Sequence, residues 1–445
     1  MERSITAAGL LILLIYISIE EIWEEKCPRI DHLSILRISL MVFYLVPGIL
    51  LSLDYDKFIN ETFEPNITRE YVGSISSFFA ILLSYVSFSA AYKLKGLSLT
   101  NIRVVTRKKN NLGYYPALYL TICLIFMYVW AKSYGSIYEV LGMVSLIRAA
   151  EVDPTQLSFL KRFFYLGLFS GYCYTSTYYF GNKDEKSRTL LGLFSSTVVA
   201  CVVSFLMASR SVILIYFLVI YLVSVLYHKR YILRLLLPLI LLTPVYLAYG
   251  DYVILVVSNW VGLAEFDPSI RKTGFIYYIK NLIEEVQYPY LSLEVSLAET
   301  LSKEQPLRIF KDVLFSIASI VPEGISPFDV DTISHVNTYY FYGYKSSIVP
   351  PGPIAFSVYS LSWPGIVITF STLGFVSNMV EKISLRGINS GPMSALLYVV
   401  SVEVLLRFLW LGEPRPWLYF AAPSFIALTP LLFKNIYFVY EEKHV

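Results

Sequence analysis

Apolar runs of about 18 or more residues follow one another along most of the chain, separated by short polar breaks. Runs of this length are typical of α-helices that cross a membrane. The pattern predicts about 11 spanning helices, give or take one, and therefore an all-α polytopic membrane protein. The predicted spans lie roughly at residues 3–19, 34–53, 72–92, 114–132, 161–181, 189–207, 210–228, 232–256, 353–380, 392–411 and 417–435.

The run of spans is interrupted by one long loop, residues 257–352. In its first half, apolar residues recur at three- and four-residue spacing among charges, which predicts short amphipathic helices. We therefore divide the chain into N-terminal spans (1–256), the long loop (257–352) and C-terminal spans (353–445). Within the first part, residues 133–160 are too polar to span and predict a short helix on the membrane surface.

Lys and Arg in the short loops set the expected orientation. The clearest basic loop, residues 93–109, carries six cations and should be cytoplasmic. Alternation from this loop places the other basic loops on the cytoplasmic side and the long loop outside. Lys161 and Arg162 are exceptions, because they are basic residues that fall on the outer side. We therefore expect a multi-pass membrane protein whose long polar loop lies on the extracytoplasmic side, where chemistry at the boundary of lipid and water could take place.

Composition supports this class, with 56% hydrophobic residues, 16% charged residues and a mean hydropathy of +0.59. Soluble domains approach one quarter charged residues. The apolar spans make membrane lipid an expected partner. The net charge of +3 is too small for nucleic-acid binding, so we expect no nucleic acid as a partner. The four cysteines show no disulfide or metal spacing, and no phosphate loop or redox motif is present, so we expect neither a metal nor a cofactor.

Several cations on the predicted outer side are candidates for binding an anion. Arg210 follows a two-residue turn at the start of a span, where free backbone amides and a guanidinium fit phosphate oxygens. The alternative is an arginine that snorkels to the lipid headgroups. Arg407 lies four residues after Glu403 within a span, so it is either half of a structural ion pair or part of a site. Arg148 and Arg271 are further outer cations that either contact a ligand or are simply solvated.

The long loop offers candidates for acid-base chemistry. Asp329 and Asp331 lie close in sequence to His335, as does Glu323, and one of these groups could take a proton from a hydroxyl. Asp312, beside Lys311, either opens this part of the loop or caps its helix, and a lone loop histidine is often only solvated. Downstream stand polar and aromatic residues that suit sugar rings, although Tyr is also a membrane-interface residue; these candidate glycan contacts are Asn337, Tyr339 and Tyr340.

Taken together, the motifs resemble the Wzy-type polymerases of O-antigen and capsular repeat units, including the enterobacterial common antigen polymerase branch. The resemblance runs from about residue 130 to residue 420 and rests on the order and spacing of short motifs. The family often has Gly where this chain has Ser211. The motifs are LIRAA, FLKRFFYL, MASRSVIL, the pair Lys311 and Asp312 followed by SIVP, HVNTYYF, and PPGPIAFSVYSLSWPGIVI.

The resemblance implies an integral-membrane glycosyltransferase whose plan is similar to that of the O-antigen ligases. It also implies that the protein lies in the bacterial cytoplasmic (inner) membrane, with its active site on the extracytoplasmic side. Its substrate would be an undecaprenyl-diphosphate-linked oligosaccharide, and a growing glycan would move onto the non-reducing end of a new repeat unit. The resemblance implies diphosphate binding by Arg210, with Arg407, Arg148 or Arg271, and a chain-length regulator protein as a partner. The alternatives are a lipid-oligosaccharide flippase or other transporter, an O-antigen ligase, and a structural subunit of an assembly machine. The absence of an internal repeat favours the enzyme over a transporter.

Overall fold

The computed structural model describes residues 2–24, 31–59, 72–94, 102–106, 112–148, 155–182, 185–207, 209–228, 275–302, 307–318, 332–343, 349–386 and 391–440. These residues form helices and one short antiparallel ribbon of two strands. In chain order the elements are α1 (Glu2–Glu24), α2 (His32–Leu40), a π-helical turn (Met41–Leu45), α3 (Val46–Leu53), α4 (Tyr55–Phe58), α5 (Ile75–Lys93), β1 (Ile102–Thr106), α6 (Tyr115–Lys132), α7 (Ile137–Arg148), a 3-10 helix (Ser158–Phe164), α8 (Tyr165–Phe180), α9 (Lys186–Leu206), α10 (Arg210–His228), α11 (Phe275–Ser302), α12 (Lys311–Ala318), α13 (Ile333–Tyr342), α14 (Gly352–Arg386), α15 (Pro392–Leu411), α16 (Pro414–Asn435) and β2 (Ile436–Tyr440).

Each predicted span that falls within the described residues coincides with a helix, whereas the span at 232–256 lies outside them. Among the described helices, seven are long and apolar enough to cross a membrane. The chain is therefore a helical, multi-pass membrane protein. The two-stranded ribbon is not part of the all-α prediction. In it β1 pairs antiparallel with β2, with Ile102 opposite Tyr440 and Thr106 opposite Ile436.

Contacts divide the chain into two compact units that do not follow chain order. Unit 1 comprises Met1–Leu97, Ile279–Glu381 and Val404–Tyr419, and unit 2 comprises Ser98–Tyr278, Lys382–Glu403 and Phe420–Val445. Most of the long loop, including α12 and α13, therefore belongs to the same unit as the first spans.

In unit 1, α11 is more deeply buried than the amphipathic helix that the sequence predicts. Every residue from Pro289 to Leu297 is buried, on all sides of the helix. Glu294 accepts hydrogen bonds from the backbone amides of Gly73 (2.9 Å) and Ser74 (3.2 Å) and from the hydroxyl of Tyr290 (2.6 Å). Because these amides precede the first turn of α5, the carboxylate caps that helix and fixes α11 against the first spans.

The long helix α14 of unit 1 is interrupted near its middle. Ser362 has a φ of 55°, and Pro364 has no amide hydrogen to donate to the helix. The carbonyl of Ser360 instead accepts the amide of Ile309 at 2.7 Å, and that of Tyr359 accepts the amide of Arg308 at 3.0 Å. The segment before α12 thus satisfies carbonyls freed by the break, as a helix at membrane depth requires.

A close backbone contact brings the turn between α15 and α16 against the start of α14. Gly412 and Gly352 both have positive φ values, 70° and 73°. A Cβ atom on Gly412 would overlap the backbone of Gly352. Glycine is therefore required at this crossing, which fixes the position of the next residue, Glu413.

Another group of buried polar contacts in unit 1 lies at the predicted cytoplasmic ends of the spanning helices. Arg37, 1% exposed, contacts Glu20 at 2.9 Å and Glu21 at 2.8 Å. His32 contacts Glu381 at 2.8 Å through Nδ1. These polar contacts join α1, α2 and α14, and the hydropathy pattern does not predict them.

In unit 2, helices α6, α8, α9 and α10 pack closely because small residues face large ones. Gly167 of α8 lies against Cys123 of α6, and Gly171 lies against Tyr216 of α10. Small residues at such contacts are typical of helix packing in membranes. The predicted short helix in 133–160 is present as α7.

Candidate functional site

The first turn of α13 receives side-chain hydrogen bonds from three parts of unit 1. Thr332, the N-cap residue, accepts the amide of His335 at 3.4 Å, and Asp312 of α12 accepts the amide of Ile333 at 3.1 Å. Helix N-termini carry unpaired amides and a partial positive charge, which favour such partners. The start of α13 is thereby held in a fixed position.

Glu413 provides the third contact with this turn. Its carboxyl accepts hydrogen bonds from both the amide (3.2 Å) and the hydroxyl of Ser334. Glu413 is 1% exposed and lies two residues after the end of α15, so the turn that follows α15 is tied to the long loop at this point. Two carboxylates from distant parts of the chain therefore meet at one helix end.

The two carboxyl groups are neutralised differently. Arg308 donates two hydrogen bonds to Asp312, from Nε at 2.6 Å and from Nη2 at 2.7 Å, and both side chains are buried. Burial and, after it, the Asp312 charge raise the pKa of Glu413 to about 8, against the opposing effects of Arg415, the Ser334 amide and Arg308. Glu413 is therefore mostly protonated at neutral pH and could exchange a proton near that pH.

One face of α13 is partly exposed. His335 is half-buried and lies one helical turn before Tyr339, which is 50% exposed. Tyr340 and Tyr342 are half-buried, and the rings of Tyr339 and Tyr340 meet edge to face at 6.0 Å. We call His335, Tyr339 and Tyr342, which share one side of the helix, the open face of α13; Tyr340 lies at its edge. It combines an imidazole with phenol rings, so it can exchange a proton and stack against a sugar.

Asn337 points the other way, although the sequence predicts it with Tyr339 and Tyr340. It is fully buried, and its amide nitrogen donates to the hydroxyl of Ser292 (2.9 Å) and the carbonyl of Val349 (3.1 Å). In this conformation its amide braces α13 against α11, while the two tyrosines remain accessible.

The other predicted site residues occupy different helices or lie outside the described residues. Arg210 begins α10, Arg148 ends α7, and Arg407 is 3% exposed on α15. Glu403 is also buried on α15. Of the proposed acid-base and diphosphate residues, those outside the described residues are Asp329, Asp331, Glu323 and Arg271.

Arg308 and Glu413 are absent from the candidates that the sequence suggests. The sequence pairs Lys311 with Asp312, whereas in the structure Lys311 is exposed and Asp312 pairs with Arg308, four residues earlier. A spacing of four residues is a usable signal for such a pair. For Glu413 the only signal is its isolation as the single acid in the short turn LGEPRP.

Within the described part of the chain, no group of three His, Cys, Asp or Glu side chains is arranged to hold a metal ion. Comparison with known protein families, curated proteins and solved structures found no match to this chain.

Proposed function

We propose that this chain is an integral-membrane glycosyltransferase that polymerises undecaprenyl-diphosphate-linked repeat units into O-antigen or a related surface polysaccharide. The proposal places the reaction on the outer side of the cytoplasmic membrane. Its first support is the resemblance of motifs between residues 130 and 420 to the Wzy-type polymerases. Its second support is the multi-span architecture, which suits a lipid-linked substrate.

The open face of α13 is the single observation that carries the proposal. It presents His335 beside Tyr339, and backbone amides in the first turn of the helix are held by buried hydrogen bonds to Asp312 and Glu413. A reactive group that is held rigidly needs less reorganisation on reaching the transition state. This arrangement favours a reaction on a bound sugar over passive lipid binding.

The proposed reaction breaks one bond and forms another. The acceptor sugar hydroxyl attacks C1 of the donor sugar, the bond from C1 to the phosphate oxygen breaks, and undecaprenyl diphosphate leaves with the electron pair. His335 would take the hydroxyl proton as a general base, with Asp329 or Asp331 as the alternative bases that the sequence suggests. Cations such as Arg210 would stabilise the charge that develops on the diphosphate.

A polymerisation assay tests the proposal. Lipid-linked repeat units would be extracted from a host strain that lacks the chain and incubated with purified protein in liposomes. We expect a ladder of polymers and one undecaprenyl diphosphate released per linkage. We expect His335→Ala to lower the rate about 100-fold or more while lipid-diphosphate binding is retained.

His228→Ala is the matched control, because His228 is an exposed histidine at the predicted cytoplasmic end of α10. Repeat units that cross the bilayer without release of diphosphate would indicate a flippase instead. Transfer only to a lipid A core acceptor would indicate a ligase. Full activity of His335→Ala would remove His335 as the base.

A further inference from the structure

Lys161 of unit 2 occupies an unusual setting for a lysine. Its side chain is half-buried in the 3-10 helix before α8, with Nζ 4.9 Å from the centre of the Trp130 ring. Burial lowers the pKa of the Lys161 ammonium, against the opposing effect of Tyr134. Lysine is rarely buried without a partner of opposite charge, because desolvation of the ammonium is unfavourable.

No described carboxylate supplies that opposite charge. The ion pairs found among the described residues involve other cations, whereas Lys161 has the ring contact with Trp130 and an electrostatic interaction with Tyr134. A cation over an aromatic face is attracted to it but is not neutralised. The local chemistry therefore favours a negatively charged ligand.

Hydrogen-bonding groups surround this cation. The hydroxyl of Tyr134 accepts the amide of Thr155 at 3.3 Å and shares a hydrogen bond with Ser158 Oγ at 3.4 Å. Although burial acts to raise it, these hydrogen bonds and the Lys161 charge hold the pKa of Tyr134 below its ordinary value. The indole nitrogen of Trp130 is buried and has no hydrogen-bond partner among the described residues.

We propose that Trp130, Tyr134, Ser158 and Lys161 form a binding site for the phosphate group of a lipid. Lys161 supplies the charge, the hydroxyls of Tyr134 and Ser158 supply hydrogen bonds, and Trp130 forms the apolar wall. The site lies between the last turn of α6 and the start of α8, at the membrane boundary that the loop charges place outside, where Trp and Tyr are enriched. It also accounts for a lysine that departs from the charge bias of the other loops.

Two lipids share this phosphate chemistry, namely a polyprenyl diphosphate and a membrane phospholipid. Binding of undecaprenyl diphosphate and of phosphatidylglycerol to the full-length protein would be measured by native mass spectrometry. Lys161→Met keeps most of the apolar stem but removes the charge, and we expect it to weaken binding of one of the two lipids about tenfold or more. Lys161→Arg should retain binding.

Lys132→Met is the matched control, because Lys132 is an exposed lysine at the end of the same helix that carries Trp130. Loss confined to undecaprenyl diphosphate would assign the site to that lipid, and loss confined to phosphatidylglycerol would assign it to the membrane headgroups. Because binding is measured and not polymer formation, neither result depends on the proposed function.

A pH series separates charge recognition from a structural role. Wild-type binding should weaken as the pH rises from about 7 to about 10, because Lys161 loses its proton, whereas Lys161→Arg should remain bound. Unchanged binding of both lipids by Lys161→Met, or an equal loss in Lys132→Met, would overturn the proposal. If Lys161→Met does not fold, Lys161→Gln and the pH series provide the same decision.

Discussion

Replacing Glu413 by Gln should make the protein more stable, which is unusual for a change to a buried, hydrogen-bonded residue. The carboxyl is 1% exposed and lies beside Asp312, so its ionised form is unfavourable in the folded state. Gln keeps a carbonyl oxygen for the amide and hydroxyl of Ser334 but cannot ionise. The gain should therefore depend on pH.

The size of the effect follows from the shift in pKa. The ordinary value is 4.5, and the folded value is about 8. Between these two values the unfolded chain has released the proton while the folded protein retains it, so the free energy of unfolding falls as the pH rises. At pH 7 the difference spans about 2.5 pH units, or about 3 kcal/mol at 1.36 kcal/mol per unit. The Gln variant cannot ionise, so its free energy of unfolding should not fall in this way as the pH rises.

Thermal unfolding midpoints in detergent, measured from about pH 5 to about pH 8.5, provide the assay. We expect the two curves to lie close together at pH 5 and to separate progressively, with the Gln variant melting at the higher temperature. Glu139→Gln is the matched control, because Glu139 is an exposed glutamate, and it should show no such divergence. A constant offset at all pH values, or a less stable variant at pH 8, would refute the reasoning.

Two further predictions follow from the proposed reaction and its topology. Arg210→Lys keeps the charge but loses the planar fork, so as a diphosphate ligand it should lower polymer formation from lipid-linked repeat unit on the order of 30- to 1,000-fold at matched abundance, whereas near-wild-type activity would indicate a headgroup anchor. Tyr339 and Lys382 are both exposed and are predicted on opposite sides of the membrane. In a cysteine-free background, Tyr339→Cys should therefore react with an impermeant maleimide in intact cells, and Lys382→Cys should react only after permeabilisation. The reverse pattern would exclude an outer active site.

The positions of the helices could be predicted because the length of an apolar run is a local property of the sequence. The break in α14 was harder to predict, although Pro364 marks it, because prolines also occur in helices that remain continuous. The ribbon joins residues near 104 with residues near 438. Neither strand indicates its partner, since a pairing between distant segments depends on the assembled fold.

The chemistry of α13 was partly predictable. The run from His335 to Tyr340 shows which residue types are present, but not which side of the helix is buried. Asn337 turns inward because Ser292 and Val349 offer it hydrogen bonds, and neither residue is near it in sequence. The contact between Ser334 and Glu413 depends equally on the close approach of Gly412 to Gly352, which involves backbone conformation alone.

The first turn of α13 is held by a costly arrangement. An ion pair as buried as that of Arg308 and Asp312 is often no more stable than apolar residues of the same size, and Glu413 adds a second carboxyl that must keep a proton. The arrangement instead fixes the position of the first turn of α13, because charged and hydrogen-bonded groups determine the direction of a helix end more strictly than apolar packing does. His335 lies in that turn and gains this precision directly. Because Gln keeps an acceptor for both hydrogen bonds from Ser334, the geometry of this turn, and with it the turnover, should be preserved in Glu413→Gln even as stability rises.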